Sequence, residues 1–545
     1  MNRLCKCLII LLTLLLTLSA CQVSTTTSMP AGQTTTGLSA ASTTVSTTSV
    51  NPFGKFDKTV TIHIGKVDSF SFYGQHNDYT SSEKNVWIDS MKDKLNVEFV
   101  FDWIVKDGAS NTVKWNTAIA SGKIPDMGVI DRATYESLIE AGMMADTKKA
   151  YDTYASPLLK SLVTPSYELP YMSRDGKLYG LPMTNSYPQN FDVLVVRQDW
   201  LTKVGKKVPK TIDELVDVAT AFKNAKLGGD KTYGLAVGNT RWGSLSGFFQ
   251  GYGIPYGVWA QDAGGKTYYG NTDTRMKEAI LKLQSMYKSG LLRQDYLVAN
   301  TVESVTAGEA GMLYSICSGP VNAVDLYQKD PNVDMIGAEI PTVDGKLATY
   351  YDSAVPNSFV FVNKNFTNQE AAVKVVNLIA QNLSDMNYDW GYIRGACPIG
   401  SVMYEKPFSF CEYAREIEYA YTTKDTSKFT TANAKTYYNR LIKFEAGDRT
   451  LGKYHPIYRV NNGTYAILND AYESKRIVNT IYNAVDTETM LEKKAILDKL
   501  LNTAMHKVIM GENIAVWEQA LSEWSATGGQ KMTDEVNAWY KANKK

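Results

Sequence analysis

The chain has 545 residues, of which 44% are hydrophobic and 11% aromatic, with 57 basic and 56 acidic side chains and a net charge of +1 at neutral pH. A charge so nearly balanced gives no electrostatic reason to expect nucleic-acid binding. Four histidines and six cysteines, without a CxxC pair or a Cys/His cluster, argue against a zinc site, and we expect no cofactor.

The first 21 residues have the three parts of a secretory signal. A basic start precedes Leu8–Leu18, which is apolar apart from two threonines, and the small-residue site Leu18-Ser19-Ala20-Cys21 closes the segment. The cysteine at this place resembles the lipobox of bacterial lipoproteins. The resemblance implies that residues 1–20 are removed and that Cys21 becomes the lipidated first residue of the mature chain. The alternative is an ordinary signal peptide, or a membrane anchor, with an incidental cysteine.

A segment rich in serine and threonine follows. Residues 22–50 contain 16 Ser or Thr in 29 positions and no charge, so they cannot bury enough apolar surface to offset the entropy cost of ordering. We therefore expect residues 21–54 to be a flexible tether between the lipid and a folded body. The protein would then lie on the extracellular face of a bacterial cell membrane, and we expect a Gram-positive source.

The first part of the body alternates strands and helices. The predicted strands are 59–67, 97–103 and 127–130, and the predicted helices are 81–93, 111–121 and 133–141. This order predicts a parallel sheet with helices on both faces, whose ligand crevice lies at the carboxyl ends of the strands. The loop 68–79 follows the first strand and should face that crevice.

A second series of strands follows the turn Asp175-Gly176-Lys177. Its predicted strands are 178–182, 193–197, 233–237, 311–316 and 359–362, and its clearest helices are 273–289 and 369–383. Thr211 and Glu214 form the pattern of a capping box at the start of another helix. Helices dominate after about residue 384.

Five blocks together resemble the family 1 extracellular solute-binding proteins, the carbohydrate-binding group of ABC importers. They are the small-Gly-x-x-Pro-Asp step in 120–127, the DGKLYGLP step in 175–182, an Arg-x-Asp-x-Leu…Asp-Glu-Leu block in 197–215, a Gly-x-Ala-x-Met…Gly-Pro block in 308–320, and a closing segment in 509–517. Their order and spacing carry the resemblance, which covers nearly the whole mature chain. It departs from the family at Val321, where a tryptophan is usual.

The resemblance implies an α/β, two-lobed periplasmic-binding-protein-like fold of type II, with two doubly wound parallel sheets joined by a multi-strand hinge. The lobes would contain 55–184 plus 357–440 and 185–356 plus 441–545, with crossovers near 182–190, 352–358 and 437–458. An oligosaccharide would bind in the cleft and close the lobes. The implied partners are two permease subunits and their ATPase, with the binding protein itself a monomer that performs no catalysis.

Sugars are neutral and densely hydroxylated, so a site for them needs aromatic platforms together with carboxylate, amide and guanidinium groups. Aromatic and polar residues in loops after predicted strands, or at predicted crossovers, are the candidates. We expect ligand contacts from Tyr73, Asn185, Tyr187, Arg241, Trp242, Trp259, Asp352, Trp390 and Arg394. For each aromatic residue, burial in the core is the alternative.

Other functions stay open at this stage. A peptide importer would need a charge to anchor a peptide terminus, and Arg241 or Arg394 offers one, whereas scarce histidine weakens a metal importer. A surface glycan-binding protein would use the same cleft. A glycoside hydrolase needs two carboxylates across one bond, which sequence alone does not reveal. No GxSxG, Walker A, HExxH or GxGxxG motif stands in a matching context.

Overall fold

Short strands and longer helices alternate along the chain. The computed structural model describes residues 50–68, 79–184, 191–238, 244–298, 301–320, 324–353, 355–385, 396–430 and 432–543. Residues 50–545 form a compact unit of their own. This unit is called the body.

The strands are β1 (Val60–Val67), β2 (Tyr79–Ser81), β3 (Lys84–Asn85), β4 (Val97–Val105), β5 (Met127–Asp131), β6 (Ser173–Arg174), β7 (Lys177–Leu178), β8 (Asp192–Arg197), β9 (Tyr233–Ala236), β10 (Trp259–Gln261), β11 (Thr267–Tyr269), β12 (Ala310–Ile316), β13 (Met335–Ala338), β14 (Tyr350–Asp352), β15 (Ser358–Val362) and β16 (Ile477–Asn479). The helices are α1 (Val86–Leu95), α2 (Gly108–Ser121), α3 (Arg132–Glu140), α4 (Lys148–Tyr154), α5 (Pro157–Val163), α6 (Glu168–Met172), α7 (Gln198–Val204), α8 (Ile212–Asn224), α9 (Ser246–Gly251), α10 (Met276–Lys288), α11 (Thr301–Thr306), α12 (Val324–Lys329), α13 (Gln369–Asp385), α14 (Ser409–Thr423), α15 (Ala432–Glu445), α16 (His455–Tyr458), α17 (Thr464–Glu473), α18 (Glu488–Ile509), α19 (Ala515–Trp524) and α20 (Gln530–Asn543).

The first sheet has the strand order β15-β5-β1-β4. β1 runs parallel to β4 and to β5, as predicted, but β15 is antiparallel to β5, with Ser358 opposite Asp131. The three strands β1, β4 and β5 are therefore parallel as predicted, and β15 adds one antiparallel strand to the sheet. The physical reason is the route of the chain, because β15 enters this sheet at the end where β5 leaves it.

The second sheet has the order β13-β8-β12-β9. β9 and β12 are parallel, whereas β8 is antiparallel to both β12 and β13. Asp192 at the start of β8 pairs with Ile316 at the end of β12. β8 thus enters this sheet at the carboxyl end of its neighbour, as β15 does in the first sheet, and the second sheet is mixed rather than wholly parallel.

The start of one predicted helix agrees with its local capping signal, whereas the start of another does not. The capping box is present at Thr211, whose side chain accepts from the Glu214 N–H while the Glu214 carboxylate accepts from the Thr211 backbone. The helix expected from Ser81 begins later. β2 and β3 occupy that stretch, and Asn85 caps α1 by accepting from two backbone N–H groups.

Helices cover both faces of the first sheet. α13 packs on α1, α4 and α5, whereas α3 packs on α2, β5 and β15. The contact between α3 and β15 includes Tyr135, whose ring stacks on that of Phe359 with the centroids 4.1 Å apart. This is the doubly wound arrangement that the alternating pattern predicts.

Two hydrophobic clusters define two lobes. The first cluster draws its buried residues from 62–183 and 359–404, and the second from 191–350 and 410–536. The chain therefore crosses between the lobes near 184–191, 350–358 and 404–410. The lobe bounds and crossings expected from the sequence stay predictions, and the buried residues of 410–440 belong to the second cluster. Phe410, Cys411 and Ala434 pack in the second cluster because α14 and α15 turn their apolar sides to it.

Candidate functional site

The segment 396–400, from far along the chain, lies against the carboxyl end of β1. The Lys66 ammonium group, 2% exposed, donates to the carbonyl oxygen of Cys397 at 3.0 Å. The Val129 N–H in β5 donates to the carbonyl oxygen of Ile399 at 3.1 Å. Residues 396–400 therefore lie between the ends of β1 and β5. Burial lowers the pKa of Lys66 to about 8.

The crossings between the lobes lie side by side. Leu181 and Val360 exchange backbone hydrogen bonds of 2.9 and 3.2 Å, which joins the first crossing to β15. Thr184 joins the first crossing to the third. Its backbone N–H donates to the Met403 carbonyl at 3.1 Å. Its hydroxyl donates to the Glu405 carbonyl and accepts from the Glu405 N–H. Such a group of connected strands is a suitable hinge.

A polar contact spans the lobes beside the second crossing. The Tyr167 hydroxyl, from the first lobe, lies 3.2 Å from Asp352 Oδ2 and 3.2 Å from Asn479 Oδ1. Asp352 and Asn479 are paired residues at the ends of β14 and β16, and Asp352 is 3% exposed. Desolvation raises the pKa of Tyr167 above its usual range, so the neutral phenol is the form that bridges the lobes.

Trp259 at the start of β10 is attached to the loop 480–487. Its N–H donates to the Thr480 hydroxyl at 3.1 Å, and its carbonyl accepts from the Ile481 N–H at 3.0 Å. The ring lies 5.0 Å from that of Tyr269 and is almost completely buried. Val485, farther along the same loop, packs on the first hydrophobic cluster. The loop therefore connects Trp259 to the opposite lobe.

A cavity of about 200 Å³ lies at this junction. We call it the Trp259 cavity, and it is lined by Arg132, Gly257, Val258, Trp259, Tyr269, Ser353, Val355, Asn357, Thr480, Tyr482, Ala484, Asp486 and Lys494. Arg132 follows β5 directly, so its side chain comes from the carboxyl end of the first sheet. Its Nη2 lies 3.4 Å from Asp486 Oδ2, and both side chains are partly exposed. The cavity thus combines aromatic, guanidinium, carboxylate and amide groups from both lobes.

Two of the nine predicted contacts fall on described residues. Trp259 lines the cavity, whereas the Asp352 carboxylate meets the Tyr167 hydroxyl at the hinge. The other seven lie outside the described residues and stay predictions: Tyr73, Asn185, Tyr187, Arg241, Trp242, Trp390 and Arg394.

Sequence reasoning missed Arg132, Tyr167 and Asp486. Arg132 had a signal, because it follows a strand that was predicted and so lies at the sheet edge where ligands bind. Asp486 had none, since only the tertiary fold brings the loop 480–487 to α3. Within the described ranges, no group of three His, Cys, Asp or Glu side chains is placed to hold a metal ion, and no helix is long and apolar enough to cross a membrane.

A family model described as bacterial extracellular solute-binding protein matches residues 96–393, more than half of the chain. The chain belongs to this family. The match includes the whole second sheet and every strand of the first sheet except β1. The sequence resemblance to extracellular solute-binding proteins is thereby confirmed.

Relatives extend the match to most of the chain. Lipoprotein LipO of Bacillus subtilis is 22% identical over 489 residues, which cover 85% of this chain and 90% of LipO. The polygalacturonan/rhamnogalacturonan-binding protein YtcQ of the same organism is 24% identical over 470 residues, covering 83% of this chain and 86% of YtcQ. Both alignments therefore cover more than four fifths of the chain.

A solved structure has the same fold. The HMO-binding, ABC-transporter-associated solute-binding protein of Bifidobacterium longum infantis superimposes with a TM-score of 0.58, covering 88% of this chain and 98% of that protein. At 14% identity the likeness is evidence for the fold alone. It confirms that this solute-binding protein has the two-lobed periplasmic architecture.

Proposed function

We propose that this protein captures an oligosaccharide in the cleft between its lobes and delivers it to an ABC importer without chemical change. The observation that carries the proposal is the Trp259 cavity, where groups suited to hydroxyl-rich rings come from both lobes. An aromatic face packs against the C–H side of a sugar while guanidinium, carboxylate and amide groups bond its hydroxyls. A ligand held by both lobes favours their closed arrangement.

The relatives support a sugar as the ligand. YtcQ is named for binding polygalacturonan and rhamnogalacturonan, and the Bifidobacterium protein for binding HMO. FusA of Streptococcus pneumoniae, a fructooligosaccharide substrate-binding protein, is 31% identical over 128 residues, which cover 22% of this chain. These names differ in the sugar and agree on the class of ligand. We therefore propose the class and leave the individual sugar to experiment.

The anchor belongs to the same proposal. The lipobox-like Cys21, the Ser/Thr-rich tether and a relative named as a lipoprotein support attachment by lipid to the extracellular face of a Gram-positive cell membrane. The protein would act as a monomer and dock on two permease subunits that work with an ATPase. Replacing Cys21 by serine should move the protein from the membrane fraction to the medium, and retention of that variant on the membrane would contradict lipid attachment at this residue.

A thermal-shift screen tests the ligand class. Residues 50–545 contain both hydrophobic clusters and can be screened against mono- and oligosaccharides, with di- to pentapeptides for comparison. A ligand that binds only the folded protein raises the melting temperature. We expect a shift with one glycan series and no change in the glycan over hours. Shifts with peptides alone would favour a peptide importer, and cleavage of the glycan would favour a hydrolase.

A further inference from the structure

The charged groups of the Trp259 cavity are paired within the protein. Arg132 Nη2 meets Asp486 Oδ2 at 3.4 Å, and Lys494 meets Asp498 in the same helix, α18. Lys494 also lies over the ring of Tyr269, 5.3 Å from its centroid. Both cations that line the cavity thus have a carboxylate beside them, and the cavity presents no net positive charge to a ligand.

We propose that Asp486 makes the Trp259 cavity accept an uncharged sugar ring and reject one that carries a carboxylate. The proposal rests on the function proposed above and adds the charge class of the substrate to it. Asp486 is then a specificity-determining residue, although it lies far along the chain from every predicted contact.

Without Asp486, Arg132 would offer an unpaired guanidinium group to a ligand. A guanidinium group recognises a carboxylate through two parallel N–H···O bonds, which makes an unpaired arginine a good receptor for a uronic acid. Asp486 already occupies one side of that group at 3.4 Å. A ligand carboxylate at Arg132 would lie beside a second carboxylate, and like charges this close repel strongly where water is partly excluded. Asp486 is 23% exposed, so solvent screens the repulsion only in part.

An uncharged sugar ring is not repelled by Asp486 and can bond to both charged groups. A sugar hydroxyl is one donor and two acceptors, so neighbouring hydroxyls can donate to Asp486 and accept from Arg132 at the same time. Asn357 also lines the cavity. At about 200 Å³ the cavity is below the range of about 300–1,000 Å³ of drug-sized sites, which suits one ring at the end of a chain.

The fold holds Asp486 in place. On its N-terminal side the loop is bonded to the Trp259 backbone through Thr480 and Ile481. Val485 packs on the first lobe, and its carbonyl accepts from the Tyr482 hydroxyl. On its C-terminal side Thr487 caps α18 by accepting from the Met490 N–H. Because both flanks are fixed, the backbone of Asp486 is held where its carboxylate reaches Arg132.

Asp486→Asn is the decisive variant, because it removes the charge and keeps the shape. The probes are maltotriose, cellotriose and galactotriose, each paired with the form in which C6 is oxidised to a carboxylate, titrated calorimetrically into residues 50–545. We expect the wild type to bind at least one neutral probe about tenfold or more tightly than its oxidised partner. In Asp486→Asn we expect the oxidised probe to gain about fivefold or more.

Asp344→Asn is the matched control. Asp344 pairs with Lys346 on an exposed turn away from the cavity, so this variant also loses one carboxylate and one ion pair and should keep the wild-type preference. The salt dependence of the wild type provides a second test if Asp486→Asn does not fold. Affinity for the oxidised probe should rise with salt as the repulsion is screened, while that for the neutral probe stays constant.

Equal or tighter binding of an oxidised probe by the wild type would overturn the inference and leave the proposed function intact. An unchanged preference in folded Asp486→Asn would also overturn it. Binding of peptides with none of the six glycans bound would overturn the proposed function and this inference with it.

Discussion

Replacing Lys66 by methionine should remove a pH dependence of stability that the wild type has in alkaline solution. Lys66 is 2% exposed, and burial brings its pKa from the ordinary 10.5 to about 8. One pKa unit corresponds to about 1.4 kcal/mol, so the difference amounts to about 3 kcal/mol. This is the cost of keeping a charged ammonium group inside the folded protein at neutral pH.

The direction follows from proton binding. Between pH 8 and 10.5 the unfolded chain still binds the proton and the folded protein has released it, so the free energy of unfolding rises with pH in this window. Below pH 8 the lysine is protonated in both states, so its contribution to the free energy of unfolding does not change with pH. The wild type should therefore gain about 3 kcal/mol relative to Lys66→Met between pH 7.5 and 10.5.

Reversible urea unfolding of residues 50–545, followed by tryptophan fluorescence at a series of pH values, measures this difference. Lys92→Met is the control, because Lys92 is an exposed lysine whose ammonium meets Glu98 at 2.7 Å on the surface. The difference in free energy of unfolding between the wild type and Lys92→Met should not rise with pH in this way. A difference between wild type and Lys66→Met that changes by less than about 1 kcal/mol, or that falls with pH, would refute the reasoning about burial.

Three further predictions concern stability. Trp259→Ala should lower the free energy of unfolding by about 3–5 kcal/mol, because the indole is buried against Tyr269, and a loss below about 1 kcal/mol would show that the ring is not core. Tyr167→Phe should cost about 1–3 kcal/mol in urea unfolding, since it removes the hydroxyl beside a buried carboxylate, and an unchanged midpoint would contradict that contact. Thr211→Ala should cost about 1 kcal/mol through loss of the capping box, whereas Thr211→Ser should not, and equal effects of the two would contradict the capping role.

Features with local causes were predictable from the sequence. The strands β1 and β4 follow from alternation of apolar residues and β5 from a short apolar run, and the start of α8 follows from side chains three positions apart at Thr211 and Glu214. The late start of α1 shows the limit, because Asn85 and Ser81 both carry a capping side chain and only the β2–β3 pairing selects Asn85.

Features that depend on the route of the chain between lobes were not predictable in the same way. The antiparallel direction of β15 follows from where the chain re-enters the first sheet, and α14 and α15 are amphipathic whichever cluster they cover. At the site, Arg132 could have been predicted because it directly follows β5, and ligands bind at the carboxyl ends of such strands. Its pairing with Asp486 arises only from the tertiary fold.

The central claim is that an oligosaccharide binds between the two lobes. A crystal structure of residues 50–545 with the glycan that gives the largest thermal shift tests it most directly. The account predicts glycan density between the facing ends of the two sheets, with contacts to side chains of both lobes and one terminal ring in the Trp259 cavity. Density confined to the outer surface of a single lobe would contradict it.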